Sequence, residues 1–529
     1  MAPRKKRYRH TVSKYFPLTT IDTLPDDILL EVFDRYRLVS AGDWSRLQGW
    51  YKLAHTCRRW RRLVFASSLR LSLQLRCTFG TPVVDMISHF LPYPLVLDYG
   101  PRLLKTWTTE DEHGLLFALQ LLSRVKEIML SASLSTLTEM TAVMVEAAPM
   151  LEHLTLHSQS TELVLPKSFL NGNAPQLRHL ILTGVSLAGL SPLLSSSTSL
   201  VSLVLERVPS RAYFSPDSLI ALIRSMPHLH TLSIGFLFTI PRPGFGSERL
   251  FASGPMIRVT LPALTQLIYR GVSAYIEALL ARIQTPLIQD IDITLFNQLT
   301  LRVPSICRFI RDLETFRPTR ARIHFAETSA HLVMSLSQPS ESPDVSLSVS
   351  CPRLDFQVSA MAQICSCLSG ADTVAVLLPP VIEELTLGFH QGSPPEEWHD
   401  EVDPALWRAL FAQFWQARSL RIHVALVGDF ERALRRLRQE ATDEGPTEPV
   451  GIGEGLDLEL LLPKLRTLVL LHGDDDDALA SASKVLGAFI DERNRAGLPI
   501  NVVTQDLSPL SWRPRSTALL VSGTGHSFQ

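Results

Sequence analysis

One short phrase recurs along the chain, and it constrains the fold more than any other feature. Its form is Pro-x-Leu-x-x-Leu-x-Leu, with Ile in place of some leucines and Thr in place of one proline. The eight copies span residues 149–156, 175–182, 198–205, 227–234, 262–267, 286–293, 380–387 and 463–470. One apolar position recurs after 26, 23, 29, 35 and 24 residues across the first six copies. Because side chains alternate along a strand, we expect the last leucines of each copy to point inward and the x residues between them outward.

A repeat of this length, with one short strand in each unit, is typical of leucine-rich repeats. The proline of each copy is suited to ending the preceding helix, and apolar residues at helical spacing predict helices at 218–224 and 275–280, between copies. The predicted fold class is therefore α/β, with an irregular leucine-rich-repeat solenoid over residues 123–505. Its parallel strands are expected on one face and its helices or turns on the other. The alternative is a generic α/β domain with leucine-rich strands.

A second feature is the stretch from Thr23 to Phe65, which has the pattern of short amphipathic helices. Pro25 suits the first helical position, and the two aspartates that follow it favour the positive end of a helix dipole. The apolar residues at helical spacing are Ile28, Leu29, Val32, Phe33 and Tyr36, and then Trp50, Leu53, Cys57, Trp60 and Val64. A unit this small cannot bury all of these residues alone, so it must pack on the rest of the chain, on a partner, or on both.

The pattern Leu24-Pro25-x-Asp27-Ile28-Leu29-x-x-Val32-Phe33, followed by Leu53-x-x-x-Cys57-Arg58-x-Trp60-Arg61-x-Leu63, resembles an F-box. F-boxes are the helical modules by which substrate receptors dock onto the Skp-type adaptor of cullin-RING ubiquitin ligases. The resemblance implies an all-α F-box at residues 21–66, and it implies that adaptor contacts come from Leu24, Pro25, Ile28, Leu29, Val32, Phe33, Leu53, Cys57, Trp60 and Leu63. Trp60 is expected to be an internal anchor of the module, and Leu24 and Pro25 are expected to be contacts. The connection over residues 39–49 is longer than in compact family members, and the alternative is a helical cap on a larger domain.

Composition assigns the remaining segments. Residues 1–20 are predicted to be a disordered basic tail, although their run Arg4-Lys5-Lys6-Arg7 is also compatible with a nuclear import signal or a nucleic-acid contact. Residues 67–122 are predicted to connect the F-box to the repeats, with strands at 69–77 and 95–97. Breaks in the repeats are predicted at 240–260, 338–353, 391–404 and 440–456, and a disordered tail at 506–529.

Charge and hydrophobicity exclude several classes of protein. The formal net charge is −1 and 46% of the residues are hydrophobic, so a general polyanion binder is disfavoured and nucleic acid is not expected as a partner. The sequence has no run of about 18 uncharged apolar residues and no apolar signal region at its start. We therefore expect an intracellular protein, cytoplasmic, nuclear or both, that does not span a membrane.

The sequence lacks the common motifs of catalysis and metal binding. It has no Gly-rich phosphate loop, no Gly-x-Ser-x-Gly elbow and no His-Glu-x-x-His. The pair Cys365 and Cys367 lies in a predicted helix and lacks the partners of a zinc site. The acidic run at 474–477 is interpreted as a loop and helix start, although such a run also attracts cations. The apolar cluster Leu410, Phe411, Phe414 and Trp415 is predicted to be core. No cofactor and no metal are expected.

With the resemblance, these features predict a non-catalytic interaction protein. It would be the substrate-recognition subunit of an SCF-type ubiquitin ligase, with the F-box docking the Skp-type adaptor and, through it, the cullin scaffold. The repeats would hold a protein substrate. Their exposed positions, such as Glu152, His153, Arg178 and His179, share no sign of charge, so no substrate class is favoured. Two alternatives are an F-box scaffold that binds a partner without ubiquitin transfer, and an enzyme within residues 240–460.

Overall fold

In the computed structural model, the described residues are 21–40, 49–90, 93–100, 107–159, 163–186, 191–209, 213–237, 258–298, 300–313, 316–336, 344–369, 382–390, 402–434, 461–473 and 476–506. The predicted basic tail, the predicted break at 440–456 and most of the predicted break at 240–260 lie outside these ranges. So does the chain after residue 506. None of the helices in the described part of the chain has the length and apolar character needed to cross a membrane.

Within the described residues, one sheet of 16 strands is formed. In chain order its strands are β1 (Leu75–Thr78), β2 (Leu95–Tyr99), β3 (Val125–Ala132), β4 (His153–Ser158), β5 (His179–Thr183), β6 (Ser202–Val208), β7 (Thr231–Phe236), β8 (Gln266–Gly271), β9 (Asp290–Phe296), β10 (Arg320–Ala326), β11 (Ser329–Ser335), β12 (Asp344–Ser350), β13 (Glu384–Phe389), β14 (Ser419–His423), β15 (Thr467–His472) and β16 (Asn501–Asp506). Their order in space is β1 to β9, then β12, β11 and β10, then β13 to β16. Neighbouring strands are parallel except at β11, which is antiparallel to both of its neighbours.

Helices precede or connect the strands. They are α1 (Asp26–Ser40), α2 (Gly49–Thr56), α3 (Arg58–Ala66), α4 (Val83–His89), α5 (Thr109–Leu119), α6 (Leu134–Val143), α7 (Ser191–Ser196), α8 (Pro216–Ile223), α9 (Ser273–Leu280), α10 (Pro304–Arg311), α11 (Leu354–Ser369), α12 (Pro404–Phe411) and α13 (Asp476–Arg495). Residues 427–434 are also helical. The chain is thus an α/β structure with an N-terminal helical region and a large, mostly parallel sheet. The helices predicted at 218–224 and 275–280 correspond to α8 and α9.

Each copy of the repeated phrase leads into one strand of the sheet. The aligned leucines are neighbours in space, since Leu154 pairs with Leu180, and Leu180 with Leu203. All three are fully buried. The backbone just before each strand repeats one hydrogen bond: the N–H of Arg178 donates to the carbonyl of Glu152 at 2.8 Å, and Val201 N–H donates to the Arg178 carbonyl at 2.8 Å. The phrase therefore sets both the burial and the register of successive strands.

The sheet departs from this order at β10, β11 and β12. After α10 the chain leaves two strand positions beside β9 open and forms β10 at the third. It then fills those positions with β11, antiparallel to β10, and β12, antiparallel to β11, so that β12 lies beside β9. The interval 338–353 was predicted to be a break, and this prediction is wrong for residues 344–350, which form β12. Apolar residues in alternate positions explain the strand, because Val345, Leu347 and Val349 are buried at 0–2% exposure.

The strand predicted at 69–77 is shorter than expected. Residues 69–72 form a turn in which Ser72 has φ 45°, and strand pairing begins only at Leu75. Burial alternates only from Leu71 onward, since Leu71 and Leu73 are buried while Ser72 is exposed, whereas Leu69 is 94% exposed. The apolar period therefore predicts burial from Leu71 on, and it does not predict where backbone pairing begins. The second predicted strand, at 95–97, is confirmed within β2.

The core is continuous from the N-terminal helices into the sheet. Trp50 of α2 donates its indole N–H to the carbonyl of Gln74 at 3.2 Å, just before β1. Neighbouring helices are also linked, because the Glu277 carboxylate of α9 accepts the N–H groups of Ser305 and Ile306 at the start of α10. The predicted core cluster holds for Leu410, Phe411 and Phe414, which are buried. It is wrong for Trp415, which is 45% exposed, since it lies between the buried positions Phe414 and Ala417.

Candidate functional site

The helix start predicted at Pro25 is one residue early. α1 begins at Asp26, and the carbonyl of Pro25 accepts the N–H of Leu29 at 3.1 Å. Asp26 and the next aspartate occupy the first turn, where negative charge is favourable. The guanidinium of Arg59, on α3, donates to Asp26 at 3.0 and 2.5 Å and to the carbonyl of Leu24 at 2.6 Å. This arginine therefore fixes the start of α1 against α3.

The inner face of α1 packs on α2 and α3. Leu29 and Phe33 are fully buried, and Leu53 of α2 is buried at 8% exposure. Trp60 of α3 packs its ring against Phe33, with the two centroids 4.8 Å apart. Cys57 occupies the N-cap of α3, where its sulfur accepts the N–H of Trp60 at 3.4 Å. Since Trp60 is only partly buried, the fully buried anchor of the unit is Phe33 and not Trp60 as predicted.

The outer face of α1 is apolar and exposed to solvent. Ile28, Val32 and Tyr36 are 49%, 42% and 36% exposed and follow one another at four-residue spacing. Such residues lie one above another on a helix. Pro25, also exposed, continues this row toward the start of the helix. We name these four residues the α1 stripe.

The structure divides the ten predicted site residues between the interior and the surface. Buried are Leu29, Phe33 and Leu53; partly buried are Leu24, Cys57, Trp60 and Leu63; exposed are Pro25, Ile28 and Val32. Leu24 is partly buried and packs against the core, and its expected role as an adaptor contact stays a prediction. Tyr36 belongs to the same exposed row, and its helical spacing from Val32 was the signal that could have added it to the prediction.

A second candidate surface is the face of the sheet opposite the buried leucines. Its outward residues form rows across the strands, as the paired registers of His153 with His179 and of Thr155 with Ile181 illustrate. The rings of His153 and His179 stack with their centroids 4.5 Å apart. Burial, with the neighbouring His153, lowers the pKa of His179. The row next to the histidine row contains the half-buried apolar residues Met129, Ile181, Val204 and Ile268, with Thr155 and the buried Ser233 between them.

Three histidines cluster on this face where the sheet changes direction. His324 lies on β10, His331 on β11 and His390 directly after β13, and the rings of His331 and His390 are 5.8 Å apart. A ring nitrogen of His331 lies 2.7 Å from the Ser348 hydroxyl. Burial, helped in His324 by the charge of Arg322, lowers the pKa of His324 and of His331 to about 4. Neutral imidazoles at these positions supply hydrogen bonds and no charge.

The described residues contain no group of three or more His, Cys, Asp or Glu that could hold a metal ion. Cys365 and Cys367 lie on α11, as the predicted helix required. Burial raises the pKa of the Cys365 thiol to about 12, so this thiol is protonated at neutral pH. Asp476 and Asp477 begin α13, which agrees with their interpretation as a helix start. The prediction that the chain is not an enzyme stays a prediction.

Comparison with known protein families matches residues 21–73 to the F-box-like family. The match covers α1, α2, α3 and the turn after them, and it confirms the F-box resemblance for this part of the chain. A search of curated proteins gave no match to the sequence. The family match thus concerns the helical unit that carries the α1 stripe.

Proposed function

Since the chain carries an F-box-like domain, we propose that it is the substrate-recognition subunit of an SCF-type ubiquitin ligase. The domain docks the Skp-type adaptor and, through it, the cullin scaffold. The sheet and its helices act as an irregular leucine-rich-repeat solenoid that holds a protein substrate. The chain itself is non-catalytic and needs no cofactor, and ubiquitin transfer is carried out by the other subunits. Its place of action is inside the cell.

The observation that carries this proposal is the α1 stripe. A helix that buries Leu29 and Phe33 on one side has no need of further apolar residues on its other side for folding. Ile28, Val32 and Tyr36 are nevertheless apolar or aromatic, exposed and in one row. Contiguous exposed apolar residues mark binding surfaces, and a row at helical spacing suits packing against the helices of a partner. An adaptor built to receive an F-box would supply that partner surface.

The open face of the sheet supports the substrate-binding part of the proposal. Stacked repeats create extended surfaces that bind partners through the outward strand residues. Here a mainly apolar row of Met129, Ile181, Val204 and Ile268, with Thr155 and Ser233 between them, runs beside the polar row that contains His153 and His179. Protein interfaces combine an apolar centre with a polar surround in this way. The mixed surface favours a folded protein or an extended polypeptide over a polyanion.

The test is adaptor binding by the full chain with Val32→Glu. The full chain is needed because β2 of the connecting segment pairs with β3, so a fragment ending near residue 110 would expose a strand edge. Val145→Glu is the matched control, since Val145 is 44% exposed and Val32 is 42% exposed. We expect Val32→Glu to raise the Kd for the purified adaptor by about 30-fold or more, as for a central contact residue. The control should change the Kd by less than about twofold.

Calorimetry or biolayer interferometry measures the Kd, and circular dichroism verifies that both variants are folded. Equal binding by wild type and Val32→Glu would contradict docking through the α1 stripe. No binding by the folded wild-type chain would contradict the proposed function as a whole. Adaptor binding without cullin recruitment would favour the alternative, a scaffold that is not part of an active ligase.

A further inference from the structure

The basic residues of the chain are divided unevenly between lysine and arginine. Residues 168–463 contain 23 arginines and no lysine, whereas the other 233 residues contain nine lysines and 19 arginines. We name residues 168–463 the lysine-free block. It holds the strands β5 to β14, which extend over about 40 Å of the sheet at the usual spacing of neighbouring strands. The block therefore forms the middle of the part that is proposed to hold a substrate.

The repeat itself accepts lysine. The N–H of Glu152 donates to the carbonyl of Lys126, and the N–H of Arg178 donates to the carbonyl of Glu152, so Lys126 and Arg178 belong to one row of equivalent positions. Lys464 directly follows the proline of its copy of the repeated phrase, as Gln176 does within the block. Lysine thus occurs at repeat positions on both sides of the block, and the fold does not explain its absence inside.

Many arginines of the block make no use of the guanidinium group. Arg353 does use it, because its Nε and Nη2 donate to the two carboxylate oxygens of Asp355 at 3.2 and 2.8 Å. By contrast, Arg178, Arg224 and Arg302 are exposed, and their side chains make no hydrogen bond or ion pair within the described residues. A lysine would serve equally well as a solvated charge at these three positions. Neither packing nor pairing therefore accounts for the choice of arginine there.

Lysine and arginine differ in one reaction that matters to a ubiquitin ligase, which is the acceptance of ubiquitin. The ε-amine of a lysine attacks the carbonyl carbon of the ubiquitin thioester on the loaded enzyme. A C–N isopeptide bond forms, the C–S bond breaks, and the proton of the amine passes to the released thiol. A guanidinium stays protonated and cannot act as this nucleophile. An exposed arginine therefore keeps the surface charged without offering an acceptor.

We propose that the lysine-free block faces the ubiquitin-loaded enzyme of the ligase, and that its arginines prevent this chain from being modified in place of the substrate. This inference rests on the proposed function. A substrate held on the middle of the sheet brings its own lysines and the surface of the block within reach of the same thioester. Lysines of the block would compete with it at high effective concentration. Lysines such as Lys126 and Lys484 lie outside the block, where they are tolerated.

The test is self-ubiquitination of the full chain in a reconstituted ligase that contains adaptor, cullin, RING subunit, activating and conjugating enzymes and ubiquitin, without substrate. The variant is Arg178→Lys/Arg224→Lys/Arg302→Lys, which keeps the charge of the chain. We expect ubiquitin to accumulate on it about tenfold faster or more than on wild type, because the new amines react within the complex. Mass spectrometry of tryptic peptides should locate the added ubiquitin at the new lysines.

Arg495→Lys is the matched control, since Arg495 is exposed at the end of α13 and lies outside the block. We expect it to be modified at the wild-type rate. Circular dichroism and the Kd for the adaptor verify that each variant is folded and assembled, and free ubiquitin chains report that the ligase is active. The single variants Arg224→Lys and Arg302→Lys repeat the test if the triple variant is less stable.

Three results would count against this account, and they are distinguishable. An active complex that modifies the lysine variants no faster than wild type overturns the proposal, and the lack of lysine is then a matter of composition alone. An equal gain for Arg495→Lys overturns the assignment of the block as the surface that faces the loaded enzyme. Failure of the folded wild-type chain to bind the adaptor contradicts the proposed function, and this inference is overturned with it.

Discussion

Phe33→Ala should destabilise the F-box-like domain while leaving the central sheet intact. Phe33 is 0% exposed and packs against Trp60 with the ring centroids 4.8 Å apart. Removing a buried phenylalanine loses the transfer free energy of its ring and leaves a cavity, which together cost about 3–5 kcal/mol. Because one decade in an equilibrium constant corresponds to about 1.4 kcal/mol, local opening should become about 10²- to 4 × 10³-fold more frequent.

Hydrogen exchange read by mass spectrometry is the assay, since it separates local from global opening. Peptides from α1, α2 and α3 should lose protection by that factor. Peptides from β4, β5 and β6 should exchange as in the wild-type chain. Val32→Ala is the matched control on the adjacent residue, and its exposed position should limit the change to about 0.5 kcal/mol.

Two results would refute this reasoning. Protection of α1–α3 within threefold of wild type would mean that Phe33 does not hold the helices together. Equal loss of protection in β4–β6 would mean that the helical unit and the sheet open as one cooperative body.

Three further predictions concern the rest of the molecule. Arg493→Met should destabilise the end of the sheet by about 1–3 kcal/mol in urea unfolding, because the buried guanidinium donates to the carbonyls that precede β15 and the variant leaves them without these donors. Gly114→Ala should lower the melting temperature, because the added Cβ would lie 2.9 Å from Cβ of Val83 and overpack the contact of α5 with α4. Lowering the pH from 6.5 to about 4 should destabilise the fold through His324 and His331, whose pKa is about 4 in the folded chain and 6.5 in the reference state. Below pH 6.5 the unfolded chain takes up these protons first, so stability is complete above pH 6.5 and is lost toward pH 4.

Each of these has a result that would count against it. Arg493→Met and Gly114→Ala are contradicted by unfolding curves that coincide with wild type. For the pH effect, the unfolding free energies of wild type and His324→Gln are measured at pH 7 and at pH 4.5. The prediction is contradicted if both proteins lose the same amount of stability between the two pH values.

The repeated phrase made much of the sheet predictable. Its leucines are spaced for a buried strand, and its copies all lead into strands, of which β4 to β9 pair with one another in chain order. The reversal at β10–β12 could not be predicted in the same way. Its strands bury alternate apolar residues such as Ile323, Leu332 and Leu347, but none opens with the proline phrase. Alternation of apolar and polar residues indicates a strand, but it does not determine which neighbouring strand that strand pairs with.

The candidate site was predictable as a set of residues and not as a surface. Leu29 and Val32 are both apolar and lie on the same turn of α1, so the pattern alone makes them equivalent. Their roles differ because α2 and α3 cover one side of the helix, which buries Leu29 and leaves Val32 at 42% exposure. The position of those helices depends on tertiary packing, and this is why the sequence pointed to Trp60, which is only partly buried, as the internal anchor in place of the fully buried Phe33.

The most direct test of the central claim is assembly of the full chain with purified Skp-type adaptor and cullin, followed by size-exclusion chromatography with light scattering. The account predicts that the chain enters a complex with cullin only when adaptor is present, and that Val32→Glu abolishes entry while Val145→Glu preserves it. Assembly with cullin in the absence of adaptor, or failure of the folded wild-type chain to join adaptor and cullin, would contradict it.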